Sequence, residues 1–276
     1  MEKEFNNIGL SVLDKEYLTS VSEYPLTIKT KIHIVLPAYN EGSSLRQLLR
    51  RLEITRQDSN LSAIITVVND GSTDDTAEIA KTFLGTTPIK LIDQQPNRGL
   101  AETIKNGLIS VLDNCNDEDI IVVMDADNSH APGLMLRMVN LIKEGCDIVI
   151  ASRYRKGARI RGLSTSRRFL SYSASLLFRI FVRIPQVRDY TCGYRAYKAE
   201  ILKRAFRHYK NDFIKQTGFA CMTEILLRVK KFDPIIEEVP LILRYDLKES
   251  ASKMHVQSLV KQTLVMLFNY TFRKKY

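Results

Sequence analysis

Asp125 and Asp127 stand two residues apart where the apolar run Ile120–Met124 ends. Alternate residues of an extended chain face the same side, so the two carboxylates would lie next to each other. Uncompensated, they repel. A divalent cation removes that repulsion, and hard oxygen ligands suit Mg2+ or Mn2+, with diphosphate oxygens and water filling the remaining positions. An Asp-x-Asp alone is commonly a solvated loop. Here two further apolar runs also end in polar loops, Leu36-Pro-Ala-Tyr-Asn-Glu41 and Val67-Val-Asn-Asp-Gly-Ser-Thr-Asp74, which favours a shared site.

The elements that must carry these loops are legible as period changes. Short apolar runs at Ile32–Leu36, Ala63–Val68, Ile89–Ile92, Ile120–Met124 and Asp147–Ala151 read as strands. Helical patterns at Gly42–Ile54, Asp74–Phe83, Leu100–Leu112 and Leu134–Lys143 alternate with them. The second begins at Ser72-Thr-Asp-Asp, which supplies a hydroxyl cap and acids at the positive end of the dipole. Strand–helix alternation with continuously apolar strands predicts an α/β fold with a mostly parallel sheet covered on both faces. Ligands of such sheets bind at the carboxyl ends of the strands, where the polar loops fall. Residues 1–30 mix charges, Asn and Ser without a period and read as an extension on the surface.

Composition narrows the class. With 276 residues, 45% hydrophobic and 26% charged, the chain is long enough for one large domain and too ordinary for disorder, collagen or a disulfide miniprotein. No stretch free of Asp, Glu, Lys and Arg exceeds 11 residues, short of the ~20 that span a bilayer. The first residues carry Glu2, Glu4, Asp14 and Glu16 and no apolar core of a secretion signal. Cys115, Cys146, Cys192 and Cys221 lie too far apart for metal or redox spacing, which points to a reduced, cytoplasmic setting. No G-x-G-x-x-G follows the first strand, so a dinucleotide oxidoreductase is excluded. The net charge of +10 points to an anionic partner.

In order along the chain, Pro37, Tyr39, Asn40 and Glu41, then Asn69 and Asp70 before Gly-Ser, then Asp125-Ala126-Asp127 with His130 and Pro132, resemble a family-2 glycosyltransferase of the GT-A fold. Ser152-Arg153-Tyr154, Arg167, the segment Asp189 to Arg195, and Glu238-Val-Pro240 with Arg244 and Ser252-Lys253 extend the resemblance to the polyprenyl-phosphate (dolichyl-phosphate) mannose synthases. It runs from about Ile32 to Lys253, which implies a glycosyltransferase domain over 31–254 and a C-terminal amphipathic helix over 255–276. Asn69 stands where the family has an aspartate, Cys192 where it has a serine, and Ser129 where some relatives have a glutamine.

The resemblance implies that Pro37, Tyr39, Glu41, Val68, Asn69, Asp70, Asp125, Ala126 and Asp127 bind a nucleotide-sugar, with the metal on Asp125 and Asp127. Arg153, Arg167, Arg244 and Lys253 would hold acceptor and donor phosphates, and the catalytic set would be Asp127, Arg153, Arg167 and Asp189. Asp189 is read equally as a base for an alcohol acceptor or as a structural partner of Arg195. A phosphate acceptor needs no base, because its second pKa of about 6 leaves it mostly dianionic at neutral pH. The reaction implied is inverting transfer of a sugar, mannose from GDP-mannose, to a polyprenyl phosphate. The alternatives are UDP-glucose as donor and a saccharide or protein hydroxyl as acceptor.

Between Asp147 and Asp189 there is no acidic residue and there are ten basic ones, from Arg153 to Arg188. Ten cations without a counter-charge repel one another, so an anion is expected to neutralise part of the cluster. No nucleic-acid module or aromatic stacking platform accompanies it, so nucleic acid is not expected. Leu170, Ala174, Leu177, Phe181 and Ile184 recur at helical spacing beside Arg179 and Arg183. Val260, Leu264, Leu267 and Phe268 do the same ahead of Arg273, Lys274 and Lys275. Basic amphipathic helices of this kind predict peripheral attachment to the cytoplasmic face of an anionic membrane.

Overall fold

The structure is a computed structural model that describes residues 30–162, 164–247 and 256–273. The extension expected over 1–30 lies, but for its last residue, outside them. From Lys31 the chain forms one compact unit. Strand β1 (Ile32–Ala38) is Ile-His-Ile-Val-Leu-Pro-Ala and is buried at all seven positions, as a strand covered on both faces requires. It lies between β2 (Ala63–Asp70) and β4 (Ile120–Val123), parallel to both, and β3 (Ile89–Gln94) runs parallel outside β2.

The sheet order is β3-β2-β1-β4-β7-β5-β8. Strand β7 (Arg195–Lys198) runs antiparallel between β4 and β5 (Ile148–Ser152), and β8 (Ile236–Pro240) pairs parallel with β5. A second, two-stranded sheet joins β6 (Arg159–Arg161) to β9 (Ile242–Arg244). The register aligns Ala38 with Asn69 and Val35 with Val123. The loops after β1, β2 and β4 therefore leave the same edge of the sheet.

The helices between these strands follow the sequence pattern closely, except that the second starts at Thr76 without the expected hydroxyl cap, the Ser72 hydroxyl being bonded to Asn40 and Asn69. They are α1 (Gly42–Asp58), α2 (Thr76–Thr82), α3 (Leu100–Leu112) and α4 (Leu134–Lys143). Helix α3 lies on β1 and β2. A Cβ at Gly107 would sit 2.6 Å from Val35 and 3.0 Å from Val68, so only glycine permits that approach. Beyond β5 come α5 (Thr165–Phe181), α6 (Ala199–Tyr209), α7 (Ala220–Val229) and α8 (Val256–Arg273), with α8 packed on α5 and α7. Lys230, just after α7, ties the last two elements together: its ammonium donates to the Val182 carbonyl at 2.9 Å and the Tyr270 hydroxyl at 2.7 Å.

The outward face of α5 differs from the one expected. Ala174 and Ile184 are buried, and Leu170 and Leu177 face a cavity. Of the expected stripe only Phe181 is exposed. On α5 the residues exposed to solvent are instead Phe169, Tyr172, Leu176 and Ile180, one face further round, whereas on α8 the expected Leu264 and Phe268 are exposed, joined by Val265 and Phe272, and Leu267 is buried. Periodicity identified the helices correctly. It did not tell which of two apolar stripes the core would take, because both have helical spacing. The side chain of Val260 lies outside those described. No helix of the described residues is long and apolar enough to cross a membrane.

Candidate active site

The loops after β1, β2 and β4 open into one cavity of about 770 Å³, within the range of small-molecule sites. It is lined by Pro37, Tyr39, Glu41 and Asp70 after or at the ends of β1 and β2, by Asp125, Ala126, Asp127 and Arg153 after β4 and β5, and by the apolar side chains of Leu170, Ala174 and Leu177 on α5, Leu243 on β9 and Leu264 on α8.

Asp127 is almost fully buried, and its Oδ1 accepts hydrogen bonds from the Ser129 N–H at 3.1 Å and the Ser129 hydroxyl at 2.6 Å. Asp125 is more open. Its backbone N–H donates to His130 Nδ1 at 3.4 Å, and His130 Nε2 lies 4.0 Å from Asp125 Oδ2. The His130 ring stacks on Tyr194 with centroids 4.8 Å apart, so this histidine supports the loop. Among the described residues no group of three or more His, Cys, Asp or Glu could enclose a metal ion. Two carboxylates at a cavity wall suit a hard cation that takes its other ligands from a bound diphosphate and water. The donor set fits Mg2+ or Mn2+ on those terms.

Asp70 lines the cavity, but both its oxygens are engaged. Oδ1 accepts from the Arg98 N–H at 2.8 Å and Oδ2 from the Gly99 N–H at 2.9 Å, which fixes the turn leading into α3. Val68 and Asn69 are buried and are not among the cavity-lining residues. The Asn69 side chain serves the scaffold: its Nδ2 donates to Asp93 Oδ1 at 2.7 Å and its Oδ1 accepts from the Ser72 hydroxyl at 2.5 Å. This accounts for the asparagine. An aspartate here would face the Asp93 carboxylate. Asn69→Asp is therefore expected to cost about 1–3 kcal/mol of stability, by the usual penalty for a buried group left without its partner. Adding Asp93→Asn should restore most of it, and urea unfolding of the two variants measures both effects.

Arg153 and Asp189 form the strongest ion pair at the cavity. The guanidinium donates from Nε to Oδ2 at 2.8 Å and from a terminal nitrogen to Oδ1 at 2.6 Å, and also reaches the Thr191 hydroxyl at 2.6 Å. Backbone N–H groups of Arg153, Thr191 and Cys192 also donate to Asp189. Burial alone would raise the Asp189 pKa; the Arg153 charge and these hydrogen bonds outweigh it and hold the carboxyl below its ordinary value. A fully buried carboxylate held ionised in this way is a poor proton acceptor. Nor is Asp189 the partner of Arg195, whose guanidinium donates to the backbone carbonyls of Tyr190, at 2.8 Å, and Met222, at 2.5 Å.

The basic cluster is also less bare than its sequence. Arg155 lies 3.1 Å from Glu238 and 3.8 Å from Glu237, both on β8. With Arg153 on Asp189, two cations of the run have carboxylate partners from outside it among the described residues. Of the two expected phosphate-binding cations whose side chains are described, Arg153 lines the cavity and Arg244 does not. Arg244 is turned to Asp246, with contacts of 2.9 and 3.1 Å, while its backbone N–H donates to the Ser129 carbonyl at 2.9 Å. Arg167 is on α5 with its side chain outside those described, and Lys253 lies outside the described residues.

Several roles at the site are not carried by the motifs: Ser129 bonds Asp127, Asn128 meets Gln47 and Arg51, and Glu224 braces a loop. Glu224 pairs with Arg228 at 2.8 Å and accepts the N–H groups of Lys215 and Gln216 at 2.7 Å each. It thereby sets the loop whose Thr217, Gly218 and Phe219 border the cavity. Only the position of Ser129, two residues after an aspartate, carried a local signal.

The glycosyl transferase family 2 model matches residues 33–206. The chain is 30% identical over 208 residues to the dolichol-phosphate mannosyltransferase of Pyrococcus furiosus, a match covering 75% of this chain and 55% of that protein. It is 31% identical over 212 residues to the undecaprenyl-phosphate mannosyltransferase of Micrococcus luteus, covering 76% of this chain and 82% of that one. The chain spans only about half the length of the Pyrococcus protein. Among solved structures, glucosyl-3-phosphoglycerate synthase from Mycobacterium tuberculosis, crystallised with Mn2+, UDP and glucosyl-3-phosphoglycerate, superposes with a TM-score of 0.59. That superposition has 19% identity and covers 95% of this chain and 84% of that one. The fold is the GT-A glycosyltransferase fold, and this chain belongs to glycosyl transferase family 2.

Proposed function

We propose that the protein transfers a sugar, mannose from GDP-mannose, to a polyprenyl phosphate with inversion, using Mg2+ or Mn2+. The observation that carries this reading is the cavity's mixed lining. Asp125, Asp127 and Arg153 share the cavity with the strand-end loops and with the apolar side chains of Leu170, Ala174, Leu177 and Leu264. A nucleotide suits the strand-end loops and a lipid chain the apolar side chains. When bound, the cation neutralises charge on the diphosphate leaving group. Asp125 and Asp127 would hold it, and Arg153, kept in place by Asp189, offers a phosphate the one terminal nitrogen that donates to neither Asp189 nor Thr191. An acceptor phosphate arrives already ionised, so positioning suffices. The hydroxyl-acceptor alternative needs a base, and Asp189 is occupied by Arg153.

The test is transfer of radiolabel from GDP-mannose or UDP-glucose, with either metal, into organic-extractable lipid in the presence of polyprenyl phosphate. Metal-dependent labelling from GDP-mannose is the expected result. Labelling from UDP-glucose alone would change the sugar and base. Donor hydrolysis without labelled lipid would refute the acceptor.

The same reading places the protein on an anionic membrane. The exposed stripes Phe169, Tyr172, Leu176 and Ile180 on α5 and Leu264, Val265, Phe268 and Phe272 on α8 belong to two helices packed together, with Arg168, Arg179 and Lys261 exposed among them. Burying each phenylalanine is worth about 2 kcal/mol. Phe169→Ser with Phe268→Ser is thus expected to lower partition into phosphatidylglycerol-containing vesicles by at least tenfold in sedimentation. Unchanged partition would refute this use of the two helices.

A further inference from the structure

The acidic loop is tied to helix α1 through Asn128, the residue directly after Asp127. Asn128 has φ 60°, in the left-handed region that asparagine and glycine tolerate better than other residues. Its side chain is buried and is gripped at both ends. Oδ1 accepts from an Arg51 guanidinium nitrogen at 2.5 Å, Nδ2 donates to Gln47 Oε1 at 3.0 Å, and the same arginine nitrogen lies 3.4 Å from the Asn128 carbonyl. Gln47 and Arg51 are four residues apart on α1, so one helix face presents both. On the other side of the loop the Ser129 carbonyl accepts the Arg244 N–H, and Ser129 itself bonds Asp127. Asp127 therefore sits between two fixed points.

We propose that Asn128, held by Gln47 and Arg51, is a positioning residue that orients the Asp127 carboxylate for a divalent cation and registers it against the nucleotide end of the cavity. The second half of this follows from where α1 begins. Its first residue, Gly42, comes directly after the Pro37–Glu41 loop, of which Pro37, Tyr39 and Glu41 line the cavity. One rigid helix thus spans the distance from the loop at the nucleotide end to the residue beside the carboxylate. Groups that orient first ligands in this way commonly change metal affinity 10–100-fold when removed. The inference rests on the reading of Asp125 and Asp127 as cation ligands.

Its test is Mn2+ binding, followed by the paramagnetic resonance signal of free Mn2+, by the full chain in the presence of GDP. The variants are Asn128→Gly, which keeps the left-handed backbone and removes only the side chain, Arg51→Met, and the double variant. Each single change is expected to weaken Mn2+ binding roughly tenfold. The double variant should be little worse than either single, because both break one linkage. Should Asn128→Gly not fold, Arg51→Met and Gln47→Ala carry the test alone. Mn2+ affinity within twofold of wild type in these variants, or a fully additive double variant, overturns the positioning role and leaves the cation site standing. A wild-type chain that binds no Mn2+ overturns both.

Discussion

Asp127→Asn and Asp125→Asn should each lower sugar transfer by about 10²–10³-fold, the usual loss when a group stabilising transition-state charge is removed, without loosening the fold. Asparagine at 127 keeps an oxygen that can accept from the Ser129 N–H and hydroxyl, now at 3.1 and 2.6 Å. What it loses is a charge. In the metal-free protein the thermal midpoint should therefore change little, because the hydrogen bonds that hold the side chain remain. The rise in midpoint that Mn2+ gives the wild type should shrink in either variant, since a ligand stabilises only in proportion to its binding. The pairing of intact fold, lost turnover and lost Mn2+ stabilisation separates a cation site from a structural one. Transfer that survives complete chelation in the wild type would sink it.

Asp189→Asn should be the most destabilising single change at the site, by about 3–5 kcal/mol, because it strands a largely buried arginine without its partner. Asp189 is fully buried and the Arg153 side chain is 15% exposed, so solvent does little to replace the lost charge. The pair is also pH-dependent in a stated direction. The folded-state pKa of Asp189 is lowered, so its contribution is complete above the ordinary carboxylate value, about 3.9, and is lost as pH falls through the lower one. The wild type should therefore lose stability steeply only in acid below about pH 4. The variant, already deprived of the pair, should show a shallower fall there. Urea unfolding between pH 3 and 7 reads both effects. Arg153→Met with Asp189→Leu should recover part of the loss, because it removes both charges together. A variant Asp189→Asn of wild-type stability but without turnover would reverse the assignment and return Asp189 to the role of base.

The local pattern of residues determined much of this protein. Five strands and the four helices between them are continuous runs and 3.6-residue periods, and the first five strands and α1–α4 fall where those signals lie, within a few residues at their ends. That a polar loop after each of three parallel strands must gather at one edge follows from the direction of the chain alone. The Asp125–Asp127 pair and the strand-end loops therefore met as expected. Strand β7 was not legible: four residues whose antiparallel place between β4 and β5 depends on pairing across the fold.

Tertiary structure alone decided which charge meets which. Arg153 and Asp189 are 36 residues apart, Arg51 and Asn128 are 77 apart, and Arg155 finds its carboxylate on β8. A run without acids thus looked uncompensated because its counter-charges come from distant segments. The same limit hid the purpose of Asn69, a departure from the family pattern explained once Asp93 lies beside it. It also hid the outward face of α5, where two apolar stripes share one period and only packing against the rest of the chain chose between them. Periodicity records what a segment does to itself. The partners of a buried charge, and the side a helix turns to its neighbours, are properties of contacts that a local pattern does not contain.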